Sequence, residues 1–129
     1  VVKETWQKDE NPIIAGIYLN RLEQGWKLEA DPTLIYAAND FTIKRVLNVH
    51  KQIVSPYNTY LNFGLPPGPI CTPSIESIDA VLNRKKSDYM FFCAREDFSG
   101  YHNYAATYGE HKRNARIFQA ALDRRGIKK

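Results

Sequence analysis

The order of apolar and polar positions along the chain marks helices, a long loop and a hairpin. Ile13, Ile14, Ile17, Tyr18 and Leu22 recur at helical spacing. Asn11 and Pro12 just ahead of them suit an N-cap and first helical residue, and Gly25 suits a stop. Asp31-Pro32-Thr33 punctuates the chain, and a short helix is predicted over Leu34 to Ala38. From about Asn48 to Pro73 the pattern dissolves into Pro, Gly, Asn, Thr and Tyr, which predicts loop. A further helix opens at Thr72-Pro73, with Ile75, Ile78, Val81 and Leu82 as its apolar stripe. Tyr89 to Cys93 is a short aromatic run of the kind found in buried strands. The turn signal Asp97-Phe98-Ser99-Gly100 and the segment Tyr101 to Tyr104 complete a predicted hairpin. Thr107-Tyr108-Gly109-Glu110 matches a capping box and opens a last helix through Ala115, Phe118 and Leu122 towards Gly126. Helices plus one hairpin predict an α+β, mainly helical fold.

Composition narrows the class without naming an activity. At 129 residues, 43% hydrophobic and 12% aromatic, the chain suits one globular domain with a core of its own. No internal repeat is visible. A formal charge of +4 comes largely from Arg113, Arg116, Arg124, Arg125, Lys128 and Lys129. Such a run either attracts an anionic polymer or forms a solvated helix end whose cations favour the C-terminus. No nucleic-acid motif accompanies it. Cys71 and Cys93 are too few and too far apart for a metal framework, and buried free thiols are expected. His50, His102 and His111 lack metal-ligand spacing, and no glycine-rich phosphate loop is present. No apolar run is long enough to span a membrane. The opening Val1-Val2-Lys3-Glu4-Thr5, with neither initiator Met nor cap, reads as the interior of an element, so a fragment or an N-terminally incomplete domain is expected.

Two places could carry chemistry. The stretch Pro56 to Ile70 holds four prolines and two glycines, which stiffen an exposed backbone. It presents Tyr57, Asn58, Thr59 and Tyr60, whose rings, amide and hydroxyls suit a neutral sugar; a rigid structural Ω-loop explains the same composition. Among the carboxylates, Glu4 stands between an apolar pair and Trp6, where an environment poor in water would favour the protonated acid. A solvated helix-end Glu explains it too. Glu29 and Asp31 flank Ala30 ahead of Pro32, and Asp31 could merely cap the turn that follows.

Taken in series, these residues resemble the endolytic murein transglycosylase (YceG-like) family over nearly the whole chain. The matching blocks are Lys3-Glu4-Thr5, Asn20-Arg21-Leu22, Leu28 to Thr33, Tyr57-Asn58-Thr59-Tyr60 and Gly64 to Ile70, followed by Tyr89 to Ala94, His102 and Glu110-His111. The resemblance implies a lysozyme-like catalytic domain that cuts peptidoglycan between N-acetylmuramic acid and N-acetylglucosamine and leaves 1,6-anhydro ends. It implies Glu4 as the single acid/base. The first Glu of the family's Glu-Lys-Glu-Thr signature is Val2 here, which leaves Glu4 as the one carboxylate in the motif. Tyr57, Asn58 and Tyr60 would line a cleft shared with Glu4, with Asp31 and Glu29 at the substrate; the family usually has Gln at the position of Glu29. A cell-envelope location follows, with a membrane anchor and an N-terminal module outside this chain and peptidoglycan synthases as candidate partners. No metal or cofactor is expected. Some members carry the label aminodeoxychorismate lyase, but no clear site for pyridoxal phosphate is present. Two other readings stay open: a muramidase using Glu4 with Asp31, and a glycan-binding module without catalysis.

Overall fold

A computed structural model of the chain describes residues 3–43 and 46–126. Val1, Val2, Lys128 and Lys129, which entered the sequence reading, lie outside the described residues. Four α-helices and a two-stranded antiparallel sheet are present among the described residues, which makes the chain α+β. The chain divides into two compact units. One holds the residues up to Asn20 and from Ser74 onward, the other Arg21–Pro73.

The first unit begins with a 3-10 turn over Lys8–Glu10 that runs straight into α1 (Asn11–Glu23). Asn11 was expected as an N-cap. Instead it already has helical dihedrals, because the preceding turn supplies the entry to the helix, and its carboxamide oxygen is buried without a hydrogen-bond partner. Ile14, Ala15 and Ile17 are fully buried. Between them Gly16 lets the backbone at Lys85 come close: a Cβ there would sit 2.4 Å from the Lys85 carbonyl oxygen. Lys85 N–H donates to the Pro12 carbonyl at 3.1 Å, so that approach is hydrogen-bonded as well as tight.

Helix α3 (Ile75–Leu82) starts later than Thr72-Pro73 suggests. Ser74 is its cap, accepting from Ser77 N–H at 3.1 Å. Its predicted stripe is not core: Ile75, Ile78, Val81 and Leu82 are all exposed, and Ala80 alone in the helix is buried. Helical periodicity predicts a face, but whether a neighbour covers it is decided elsewhere in the fold.

The hairpin forms between β1 (Phe91–Ala94) and β2 (His102–Ala105), close to the two predicted runs. Phe91 pairs with Ala105 and Ala94 with His102. The connecting turn uses positive φ at Phe98 (57°) and Gly100 (87°). Helix α4 (Tyr108–Arg124) packs on both strands. Thr107 caps it as predicted, its Oγ1 accepting from Glu110 N–H at 3.3 Å, but the Glu110 carboxylate meets the Thr107 hydroxyl at 3.0 Å rather than the Thr107 backbone N–H of a full capping box. Phe91 stacks on His111 at 4.9 Å.

In the second unit, α2 (Asp31–Ala38) begins at Asp31, earlier than Leu34, with Pro32 in its first turn where a missing N–H costs nothing. Asn39 ends it in the left-handed region. Apart from the end of α1, the other described residues of this unit form one 3-10 turn at His50–Gln52 and irregular chain, as the composition predicts from about Asn48 onward. Leu28, Ala30, Thr33, Leu34, Asn58 and Thr59 form its interior.

Candidate functional site

Glu4 lies in the first unit and is half-buried. The Tyr18 hydroxyl, from α1, donates to Glu4 Oε1 at 2.6 Å. Tyr18 in turn meets Phe92 of β1 edge-on at 5.8 Å, which fixes the ring that holds the carboxylate. Trp6 does not cover Glu4; its side chain is 94% exposed.

The residue after Glu4 is anchored more deeply. Thr5 is buried, and its hydroxyl donates to Glu10 Oε1 at 2.8 Å and lies 3.3 Å from the Gly100 carbonyl oxygen. It also accepts from Gln7 N–H at 3.1 Å. The Gln7 side chain donates to the Ser99 carbonyl at 3.0 Å. The segment that carries Glu4 is therefore docked on the β1–β2 turn.

Glu10 is the centre of this arrangement and is only 3% exposed. Its Oε1 accepts from Thr5 and from His102 Nδ1 at 2.9 Å; its Oε2 accepts from His102 N–H at 2.8 Å and from the Tyr104 hydroxyl. Nδ1 of His102 must carry a proton to make that bond. Burial pushes the Glu10 carboxyl upward, but the hydrogen bonds from Tyr104, His102 and Thr5 outweigh it and hold the group below its ordinary value. Tyr104 moves the opposite way: burial, then the bond and charge of Glu10, raise its hydroxyl far above the usual tyrosine range. Nearby Cys93 is a free thiol pushed up to about 11, chiefly by burial and then by Glu96, so it is a poor nucleophile. Cys71, expected to be buried, is an exposed free thiol on the loop.

The other predicted residues lie in the second unit, where two sequence blocks are knitted together. Thr33 and Thr59 hydroxyls meet at 2.8 Å, Thr33 donates to the Ala30 carbonyl at 2.8 Å, and Ala30 N–H donates to Thr59 at 2.8 Å. The Tyr60 hydroxyl donates to Asp31, an exposed carboxylate at the start of α2. Lys51 stands over the Tyr60 ring, 5.0 Å from its centroid. Tyr57 packs on Tyr36 at 4.8 Å, with the Gly68 backbone close to its hydroxyl. Glu29 has positive φ (50°) and an exposed side chain, and its N–H donates to the Thr59 carbonyl.

Asn58 is placed differently from the other loop residues. It is fully buried, its amide donates to the Lys51 and Ile53 carbonyls, and its oxygen accepts from Tyr60 N–H. Asn58 shapes the loop from inside, while Tyr60 and Asp31 carry the polar atoms to the surface. Among the described residues no His, Cys, Asp or Glu cluster could hold a metal ion.

Thr5, Glu10, Tyr18 and Tyr104 were given no site role from the sequence, although Thr5 stands in the Lys3-Glu4-Thr5 block. One signal was available: His102 and Tyr104 are two apart on a strand, so their side chains leave the same face, a polar pair on an otherwise aromatic hairpin.

The sequence profile of the YceG-like family matches residues 1–117. The chain is 40% identical to an endolytic murein transglycosylase of Bacillus subtilis (strain 168) over 97 residues, which is 75% of this chain and 27% of that protein. It is 33% identical over 118 residues to the endolytic murein transglycosylase of Streptococcus pneumoniae (strain D39), covering 88% of this chain and 21% of that protein. A solved structure of a YceG-like protein from Listeria monocytogenes superposes with a TM-score of 0.79 at 36% identity, over 86% of this chain and 36% of that one. The chain thus spans about a quarter of the length of the curated relatives.

Proposed function

The chain belongs to the YceG-like family, and from that membership we propose that it carries the catalytic chemistry of an endolytic murein transglycosylase, with Glu4 as the acid/base. The observation that carries this reading is the placing of Glu4. It is a half-buried carboxylate in the Lys3-Glu4-Thr5 block, gripped at one oxygen by Tyr18 and followed by an anchored Thr5.

Glu4, protonated, donates to the glycosidic oxygen between N-acetylmuramic acid and N-acetylglucosamine as that bond breaks. The carboxylate so formed takes the proton of the muramic acid 6-hydroxyl, whose oxygen bonds to its own anomeric carbon. The product is a 1,6-anhydro sugar; no water is consumed, and Glu4 ends protonated as it began. Because the nucleophile is already part of the substrate, one carboxylate serves where hydrolases use two. Tyr18 donates to the charged form and so stabilises Glu4 between the two proton transfers.

In the second unit, Tyr57 and Tyr60 offer ring faces and Asp31 a carboxylate to the sugars, with Glu29 beside them and Asn58 holding the loop in shape. The helices and the single hairpin support a lysozyme-like reading of the catalytic domain. Peptidoglycan synthases as partners, and a cell-envelope location with a membrane anchor outside this chain, belong to the same proposal. No helix among the described residues is long and apolar enough to cross a membrane. Mass spectrometry of products from purified glycan strands tests the chemistry. Anhydro-muramic ends are expected; reducing ends would make the protein a muramidase, and binding without turnover a glycan-binding module.

A further inference from the structure

Glu10 raises a question that the acid/base reading leaves open. A carboxylate 3% exposed is costly, and an apolar residue of similar size fills such a place at less expense. It cannot be a second catalytic carboxylate. Both oxygens are taken, one by Thr5 and His102 Nδ1, the other by His102 N–H and Tyr104, so neither is left to exchange a proton with a sugar. These bonds do join three pieces of chain: the segment after Glu4, the 3-10 turn leading into α1, and strand β2.

We infer that Thr5 and Glu10 form a positioning pair that sets where the Glu4 carboxylate stands. The inference rests on Glu4 being the acid/base group. Glu4 and Thr5 are consecutive, and each is held by its side chain: Glu4 by Tyr18 from α1, Thr5 by Glu10 beneath the hairpin. Two fixed points one residue apart leave the backbone of Glu4 little freedom to slide. The Gln7 amide on Ser99 and the Thr5 hydroxyl near Gly100 add a third tie at the turn. Gly100 is fitted to that tie, since a Cβ there would come 3.2 Å from the Gln7 amide nitrogen, at a φ of 87° that side chains rarely adopt. Acid/base transfer is steep in geometry, and a misplacement of about 1 Å costs on the order of 10²-fold in rate.

The test compares Thr5→Val, which keeps the shape and removes the hydroxyl, with Thr5→Ser, which keeps the hydroxyl, in the intact protein. Anhydromuropeptide release gives kcat and KM, and circular dichroism confirms folding. Thr5→Val is expected to lower kcat by roughly 10–100-fold with KM for glycan strands almost unchanged, while Thr5→Ser stays within about 3-fold of wild type. If Thr5→Val does not fold, Tyr104→Phe reads the same anchor by removing one donor from Glu10; a kcat lower by about 3–10-fold at constant KM is expected. Unchanged kcat in folded Thr5→Val, or in Tyr104→Phe if that is the variant read, overturns the inference. So does an equal loss in Thr5→Ser and Thr5→Val, because the hydroxyl that Ser keeps would then not be enough to hold Glu4 in place. Glu4→Gln in the same assay separates the two claims. An inactive Glu4→Gln beside a fully active Thr5→Val sinks the positioning pair alone; an active Glu4→Gln sinks the acid/base reading and the pair with it.

Discussion

The two units bury polar groups in opposite ways. The first buries a charge: Glu10, with a histidine, a tyrosine, a threonine and a backbone N–H donating to it. The second buries neutral groups: the Thr33 and Thr59 hydroxyls, bonded to each other, and the Asn58 amide, bonded to the Lys51 and Ile53 carbonyls. Each network ties an irregular segment to a regular element of its own unit: the segment after Glu4 to β2 in the first, the loop at Thr59 to α2 in the second. The difference lies in what each depends on. A buried carboxylate holds its donors most strongly while it is ionised, so its strength follows pH; a hydroxyl–amide network has no such dependence.

The largest effect expected is on catalysis. Glu4→Gln keeps the size of the side chain but cannot cycle a proton, so cleavage should fall by about 10⁴-fold or more, since one group does the work of both acid and base. Asp31→Asn, in the neutral-network unit, should be much milder and act mainly through KM. Comparable losses in both variants would move the protein to the two-carboxylate mechanism of hydrolases. Release of anhydromuropeptides by the intact protein, with folding verified, reads both.

Next in size is stability. Glu10→Ala strands His102, Tyr104 and Thr5 without their acceptor and should cost about 3–5 kcal/mol. Thr59→Val leaves Ala30 N–H and Thr33 short of one partner and should cost about 1–3 kcal/mol. Urea unfolding measures both, and a Thr59→Val loss equal to that of Glu10→Ala would erase the distinction between the units.

The pH dependence sharpens the same contrast. Glu10 is held below its ordinary value near 4.5, so the unfolded chain binds its proton first as pH falls. Its contribution is therefore present above about pH 4.5 and is lost as pH drops through the lower folded-state value. Thermal unfolding from pH 6 down to pH 3 should show a steeper decline for wild type than for Glu10→Gln, while Thr59→Val should keep the wild-type slope. Parallel curves for wild type and Glu10→Gln would remove the charge from the account.

The smallest effect separates two glycines. Gly16→Ala forces a Cβ to 2.4 Å from the Lys85 carbonyl, and such overpacking costs about 1–3 kcal/mol. Gly64→Ala meets open space but keeps a φ of 78°, so the cost is conformational, about 1 kcal/mol. Melting temperatures should rank the two in that order.

Much of the architecture was legible before the fold was known, because it depends on neighbours in sequence. The α4 cap, the hairpin turn and the proline-stiffened loop are local devices, and Thr107, Gly100 and Pro66-Pro67 announce them. Periodicity also identified the α1 face that is buried at Ile14 and Ile17. It misread Ile75, Ile78, Val81 and Leu82, since spacing makes a stripe but only a neighbouring element makes it core. Glu4 and the Asp31, Tyr57 and Tyr60 blocks could be picked out as chemistry, through their resemblance to a family. What they touch could not be read from the chain. Tyr18 reaches Glu4 from fourteen residues away, and Glu10 gathers donors from Thr5 and from a strand about ninety residues later. As letters, Glu10 looks like any solvated carboxylate and Asn58 like any exposed loop amide. Their burial is a property of contacts between distant segments, and no local rule of spacing, propensity or charge encodes it.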